Sequence, residues 1–323
     1  MKYKTLGFTL FRKCNANCDI CCFESSPSCK ERLDKELIKR YIDSAVGDEN
    51  LQSISFTGGE PFLEYNLLLE LVEYATEKGF NVNLITNCFW ANTKEIAIER
   101  LAVLKKKGLK RMNVSFDQFH NEYVNEKNAV NVVKACSELS IPVVIGMIAK
   151  KDTNIGEIIN KLEDGVLNSG LMVYPVLPVG GAIKNIKAED YIKYKLENTS
   201  LKCQYDGNIV VRYDGKIHPC CNQCVVDTEL IVGDYAEEGY SDTLYSIKNN
   251  GILYILRNFG LTPFVTYATN VLHIPLPKYV TSACELCRLF FSKENIDKFY
   301  PMVKECIEKM QEGKYEKDKL LVI

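Results

Sequence analysis

Three cysteines fall within eight residues, directly after the first β-rich run of the chain. LGFTLF (6–11) is followed by Cys14, Cys18 and Cys21, in the spacing C-x3-C-x2-C. Three thiolates on one tight loop can hold three corners of an iron–sulfur cube. One iron then lacks a protein ligand and stays open to a small molecule. Zinc is the rival, but structural zinc prefers paired CxxC units and four ligands. The chain has 14 cysteines in 323 residues, at 14–29 and 203–306, with only Cys88 and Cys136 between. The apolar run before Arg12 is too short for a secretory signal. These thiols are therefore expected to bind metal or do chemistry in the cytoplasm rather than to pair as disulfides. Only 13 residues precede Cys14, so no separate peptide-binding domain is expected ahead of the loop.

Behind the loop lies an alternating pattern. Strand candidates are 6–11, 53–56, 81–86, 111–116, 143–149 and 171–176. Amphipathic stretches separate them: 34–46, then runs starting near Asn66, Thr93, Asn121 and Asn154. Six strands alternating with helices predict a parallel sheet of βα units, open or barrel-like. The strands read as apolar runs covered on both faces. After residue 178 the pattern changes. A turn at PVGGA leads to a predicted short helix over 188–197. Then comes NIVVRYDGKIHP (208–219), where Asp214-Gly215 signals a two-residue hairpin turn. A helix over about 293–311 closes the chain. The domain boundary is placed near 185: residues 1–185, then 186–323.

Composition excludes several classes. Lys plus Arg number 40 and Asp plus Glu 42, so there is no basic excess for nucleic acid. The run KKKGLKR (105–111) reads as the basic end of a helix closed by Gly108. Residues 258–277 carry no formal charge over a span long enough for a bilayer, but three prolines and several polar groups argue against stable membrane insertion. An apolar surface bordering a groove is expected there instead.

A second motif follows the second strand: Thr57, Gly58, Gly59, Glu60 and Pro61. Glycines at a strand's C-terminal end let backbone approach a ligand closely. The cysteine spacing and TGGEP, in this order and context, resemble the radical S-adenosylmethionine (SAM) enzymes. Ile20, before the third cysteine, stands where that family usually has an aromatic residue. The resemblance implies a partial (β/α)6 barrel. Cys14, Cys18 and Cys21 would hold a [4Fe–4S] cluster, and SAM would chelate its open iron. Glu60 would meet the SAM ammonium. Asn87 after strand three, and Ser115, Asp117 and His120 after strand four, would contact SAM or substrate. The turn Gly180-Gly181 is left between adenine contact and a plain βα turn.

The C-terminal cysteines, Cys203 and Cys220 with Gly215 between, then Cys284 and Cys287, resemble the SPASM/twitch extensions of such enzymes. The chain lacks the further cysteines of a full SPASM domain. That favours a smaller α+β twitch-type domain with one auxiliary [4Fe–4S] cluster on these four residues, zinc being the alternative. Cys306 reads as core. Cys224 is left between ligand and local thiol. Trp90 either lines a channel or packs.

The whole chain is similar to the epipeptide (YydG-type) peptide epimerases, through CNANCDICCFESSP, ISFTGGEPFL, SFDQFHNEYV, YDGKIHPCC and CELCRLFFSKENI. That resemblance implies conversion of L- to D-residues in a ribosomally made precursor peptide. Cys221 would return the hydrogen atom from a hairpin end facing the barrel mouth. Asp206 would be a second catalytic residue, although its local spacing differs by one. A flavodoxin- or ferredoxin-type donor would supply electrons. A peptide cross-linking maturase and a non-catalytic peptide-binding scaffold are the competing readings.

Overall fold

The computed structural model describes residues 3–163, 167, 169–203 and 207–311. The first half alternates as expected: β1 (Thr5–Thr9), α1 (Lys35–Ala45), β2 (Ser53–Thr57), α2 (Tyr65–Glu77), β3 (Asn81–Thr86), α3 (Lys94–Lys106), β4 (Leu109–Ser115), α4 (Gln118–Asn121), α5 (Glu126–Glu138), β5 (Val143–Ala149), α6 (Ile155–Asn160) and β6 (Gly170–Pro175). Local chemistry starts the helices. Asp34 accepts the N–H groups of Glu36 and Leu37 before α1, and Thr93 accepts that of Ile96 before α3.

Strands β1 to β6 pair in parallel in chain order. They form the partial (β/α)6 barrel of the sequence expectation. Their two faces differ, however, which corrects the expectation of apolar runs. Leu6, Phe8, Ile54, Phe56, Val82, Leu84, Met112, Val114 and Ile145 face the helices and are buried. Each such side chain contributes about 1.5–3 kcal/mol. Register puts Thr5, Gly7 and Thr9 beside Ser53, Ser55 and Thr57 on the other face, followed by Asn81 and Asn83. Asn113, Ser115 and Gly146 continue it, interrupted by Ile85, Val144 and Ile148. This inner wall of mostly small, polar residues suits a polar ligand rather than a packed core.

The second half runs α7 (Gly181–Asn185), β7 (Tyr194–Lys195), β8 (Asn208–Val211), β9 (Lys216–His218), β10 (Gly233–Asp234), α8 (Tyr240–Lys248), α9 (Gly251–Phe259), α10 (Thr262–Asn270), β11 (Tyr279–Val280), α11 (Ala283–Phe290) and α12 (Tyr300–Gln311). Strand β8 lies parallel to β1, Thr5 opposite Asn208. One nine-stranded sheet therefore crosses residue 185, in the order β10-β9-β8-β1-β2-β3-β4-β5-β6. The hairpin turn has three residues, Tyr213 to Gly215, not two. Gly215 N–H bonds the Arg212 carbonyl, Arg212 N–H bonds that of Lys216, and Gly215 takes φ +84°. This is a type I turn closed by a left-handed glycine.

Three other expectations change. The predicted helix over 188–197 is absent: Tyr194–Lys195 instead pair antiparallel with Tyr279–Val280. The final helix starts at Tyr300 rather than 293, because Pro301 lacks an N–H and fits only a first helical turn. Within 258–277, Leu261, Phe264 and Ala268 are buried. Phe264 meets the Phe291 and Phe299 rings edge-on, at 5.0 and 5.7 Å. The part from Gly260 to Ala268 thus contributes to the core, while 269–277 is exposed or half-buried and Leu261 also lines a cavity. Among the described residues, no helix is long and apolar enough to cross a membrane.

Candidate active site

The cysteine loop is stitched across the end of β2. Leu10 N–H bonds the Thr57 carbonyl at 2.8 Å, Gly59 N–H that of Phe11 at 2.6 Å, and Glu60 N–H that of Lys13 at 3.0 Å. A Cβ on Gly59 would stand 1.9 Å from the Lys13 carbonyl oxygen, and one on Gly58 2.9 Å from that of Phe11. The close approach expected toward a ligand is thus an approach to the backbone entering Cys14. Gly180-Gly181 clasps the loop from the other side. Gly181 N–H bonds the Cys21 carbonyl at 3.0 Å. A Cβ on Gly180, itself at φ +51°, would lie 2.5 Å from the Cys22 carbonyl oxygen.

None of the three loop cysteines is paired in a disulfide. Burial pushes Cys14 up to about 12, with Glu60 and Cys21 adding to the rise. Burial also raises Cys18, beside Cys14 and Cys21. Thiols held so high ionise when a cation replaces the proton. Backbone N–H groups of Ala16 and Ser25 point at the sulfurs of Cys14 and Cys21, at 3.4 and 3.3 Å, ready to stabilise thiolates. The donor set fits an iron–sulfur cluster.

Glu60 is buried. Its Oε1 accepts Phe62 N–H (3.1 Å) and the Thr86 hydroxyl (2.8 Å); its Oε2 accepts Asn87 N–H (2.7 Å). Burial raises it to about 7, against the pull of these bonds and of nearby His120. A carboxylate has about four acceptor sites, so one is left for an ammonium. Asn87 joins the two motifs: its side-chain amide donates to Asn15 Oδ1 at 2.9 Å and reaches Cys14 Sγ at 3.7 Å. Thr86 precedes Asn87 at the expected strand end; Asn15 and Lys13 are members of the site that sequence reasoning missed, because their roles come from strand adjacency. Trp90 packs: it stacks on Phe62 at 4.1 Å, and its indole N–H bonds Thr86.

Asp117 is also buried. Its Oδ1 accepts the N–H groups of Phe119 and His120 and faces His120 Nδ1 at 2.9 Å, while Oδ2 accepts Ile148 N–H. It caps α4 and positions His120. Ser115 sits on the inner wall opposite Gly146.

The C-terminal cysteines gather around a cavity of about 340 Å³ lined by Cys203, Cys220, Cys284 and Cys287, and also by Cys224. Burial drives Cys287 up, with Cys284, Cys220, Cys203 and Cys224 adding to the rise. Cys306 is core. Cys221 does not line this cavity. Its sulfur accepts from Asn208 Nδ2 at 3.4 Å. Asn208 stands opposite Thr5, at the foot of β8. The turn, and not the cysteine end, of the hairpin therefore faces the barrel mouth, because β9 runs antiparallel to β8. Asp206 lies outside the described residues.

The profile of the radical SAM superfamily matches residues 8–164. Over 313 residues the chain is 32% identical to YydG of Bacillus subtilis (strain 168), named as a peptide biosynthesis protein, covering 94% of this chain and 98% of that one. The sporulation killing factor maturation protein SkfB of the same organism is 28% identical over 56% of this chain and 44% of its own. The crystal structure of BtrN with AdoMet and 2-DOIA superposes with a TM-score of 0.52 at 18% identity, over 81% of this chain and 89% of that one. That likeness is one of fold. The chain belongs to the radical SAM superfamily, in the family of YydG. Membership implies SAM and one [4Fe–4S] cluster, for which Cys14, Cys18 and Cys21 supply the fitting thiols.

Proposed function

We propose that the protein is a radical SAM peptide epimerase, turning L-residues of a ribosomally made precursor peptide into D-residues. The observation that carries this reading is Cys221: an exposed thiol outside the cysteine-lined cavity, held by Asn208. Asn208 shares the inner face with Thr5 and Gly7. When bound, SAM and the loop cluster supply a 5′-deoxyadenosyl radical that takes a hydrogen atom from a substrate carbon. Glu60 offers its remaining acceptor site to the SAM ammonium. Asp117 holds His120 in place beside Glu60. The substrate carbon must lie down inside the barrel, between the cysteine loop and the foot of β8. Cys221 then gives the hydrogen of its S–H bond to the opposite face of that carbon. The sulfur radical left behind takes one electron from a flavodoxin- or ferredoxin-class donor and one proton from solvent. Asp206 is the second catalytic residue by resemblance alone.

Cys203, Cys220, Cys284 and Cys287 hold a second [4Fe–4S] cluster on this reading. Among the described residues no three His, Cys, Asp or Glu side chains converge tightly enough for a single ion. The division at residue 185 separates the two cysteine sets.

The test is Cys221→Ala. The variant keeps its iron and still makes 5′-deoxyadenosine, but yields little D-residue. In D2O the wild type places one deuterium on the inverted carbon, because a thiol exchanges with solvent. Normal epimerisation by the variant moves the donor elsewhere. A product lighter by two hydrogens indicates cross-linking instead.

A further inference from the structure

The nine-stranded sheet ends at β6, with no further strand beyond it among the described residues. Its sequence, GLMVYP, carries no charge. Leu171, Met172, Val173 and Tyr174 are 37–46% exposed. Natural sheets protect such edges with lysines, bulges or a covering element; here only Pro175, at the strand end, limits it. The orientation of the backbone follows from one bond. Val176 N–H points to the Ala149 carbonyl of β5. Alternation along the strand then turns the N–H and C=O groups of Leu171 and Val173 away from β5.

Side chains alternate in the other sense. Met172 and Tyr174 register with Gly146 and Ile148 of β5. Gly146 registers in turn with Ser115 on the inner wall. A strand added beside β6 would carry every second side chain onto that wall. Beyond Pro175 the chain reaches the Gly180-Gly181 turn, whose N–H bonds the Cys21 carbonyl. The edge is thus continuous with the clasp on the cysteine loop.

We propose that β6 is the docking edge for the substrate peptide, which binds as an added strand through the backbone groups of Leu171 and Val173. The inference rests on the peptide-maturase reading. Two outward residues ending at a proline are enough to set the register of a narrow peptide. They are short for an edge-to-edge pairing of two whole chains. Main-chain pairing gives affinity with little demand on sequence; the exposed side chains of Met172 and Tyr174 meet the peptide's alternate side chains.

The test uses Leu171→Pro and Val173→Pro in the full chain. Each deletes an N–H that the sheet itself does not use, so the fold tolerates it. The probe is a synthetic peptide selected because it raises 5′-deoxyadenosine formation. The expected result is a peptide KM about five- to tenfold higher for each variant, with kcat at saturation close to wild type and unchanged iron content. In the wild type, amide exchange at 171 and 173 slows at least about tenfold with peptide present, a readout that stands even where the proline variants fold poorly. Peptide turnover with unaltered exchange at both amides overturns the docking edge and leaves the maturase reading intact. Loss of self-association in the variants, with an unchanged KM, assigns the edge to a second copy and overturns it too. If no peptide in the panel stimulates the enzyme, the maturase reading falls, and this inference with it.

Discussion

Gly59 and Lys13 touch so closely that a Cβ on the first would stand 1.9 Å from the carbonyl oxygen of the second. The obstacle is backbone, which cannot swing aside as a side chain can. Gly59→Ala must therefore push the 11–13 segment off the end of β2 and break the bonds of Gly59 and Glu60 to it. The expected outcome is a folded protein by circular dichroism that loses the loop cluster and SAM cleavage. An Ala variant with full iron and full cleavage contradicts this account.

Iron counting separates the two cysteine sets. Reconstituted wild type should hold about eight irons per chain, two cubes of four. Cys284→Ala with Cys287→Ala should leave about four and preserve SAM binding at the loop. Cys14, Cys18 and Cys21 changed together to Ala should also leave about four, with no SAM cleavage. A zinc content near one per chain, with four irons, would reassign the C-terminal set.

Asp117 and His120 set a pH window. Burial opposes the charge on Asp117, but His120 and the backbone N–H groups outweigh it and hold the carboxyl below its ordinary range. Burial likewise opposes a charged His120, and Asp117 outweighs it and raises the imidazole. The depressed acid stabilises the fold above the unfolded pKa of about 3.9, and that share fades as pH falls through its own lower value. The raised base stabilises fully below about 6.5 and loses its share as pH climbs through its higher value. Asp117→Asn should bring the His120 titration, followed by NMR, back down. It should also cost about 1–3 kcal/mol, since an amide nitrogen cannot accept the donors that now meet this carboxylate.

Phe264→Ala tests the assignment of the segment around Leu261, Phe264 and Ala268 to core. The ring packs edge-on to Phe291 and Phe299, so its loss should cost about 3–5 kcal/mol in denaturant unfolding. A change below 1 kcal/mol would return the segment to the surface.

Legibility in the sequence tracked the distance over which each feature is decided. The cysteine spacing, TGGEP and the β-rich runs are local, and they lie where expected. Strand ends moved by only a residue or two. What went unread depends on partners far along the chain. Tyr194–Lys195 become strand through Tyr279–Val280, so helical spacing over 188–197 misleads. SISF and NVNLIT alternate between an apolar and a polar face, which shows once register aligns Ser55 with Asn83. The bond from Asn87 to Glu60 spans β2 and β3, and no spacing rule contains it. Five cysteines around one cavity, with Cys221 outside it, likewise need three dimensions.

Strand β1 carries a load at each end. The cysteine loop leaves from its C-terminal end. Tyr3, just before its start, bonds Arg257, which lines the cavity of the C-terminal cysteines, and Thr5 pairs with Asn208, whose amide reaches Cys221. At about 3.3 Å per residue, Thr5 to Thr9 works as a rigid spacer of some 13–17 Å between the two thiol-bearing regions. Sliding β8 by one residue against β1 would move the hairpin cysteines relative to the loop by a whole rung, and swap which side of the wall they occupy. The separation of the two redox-capable regions is thus written in backbone pairing, not in the side chains that line them.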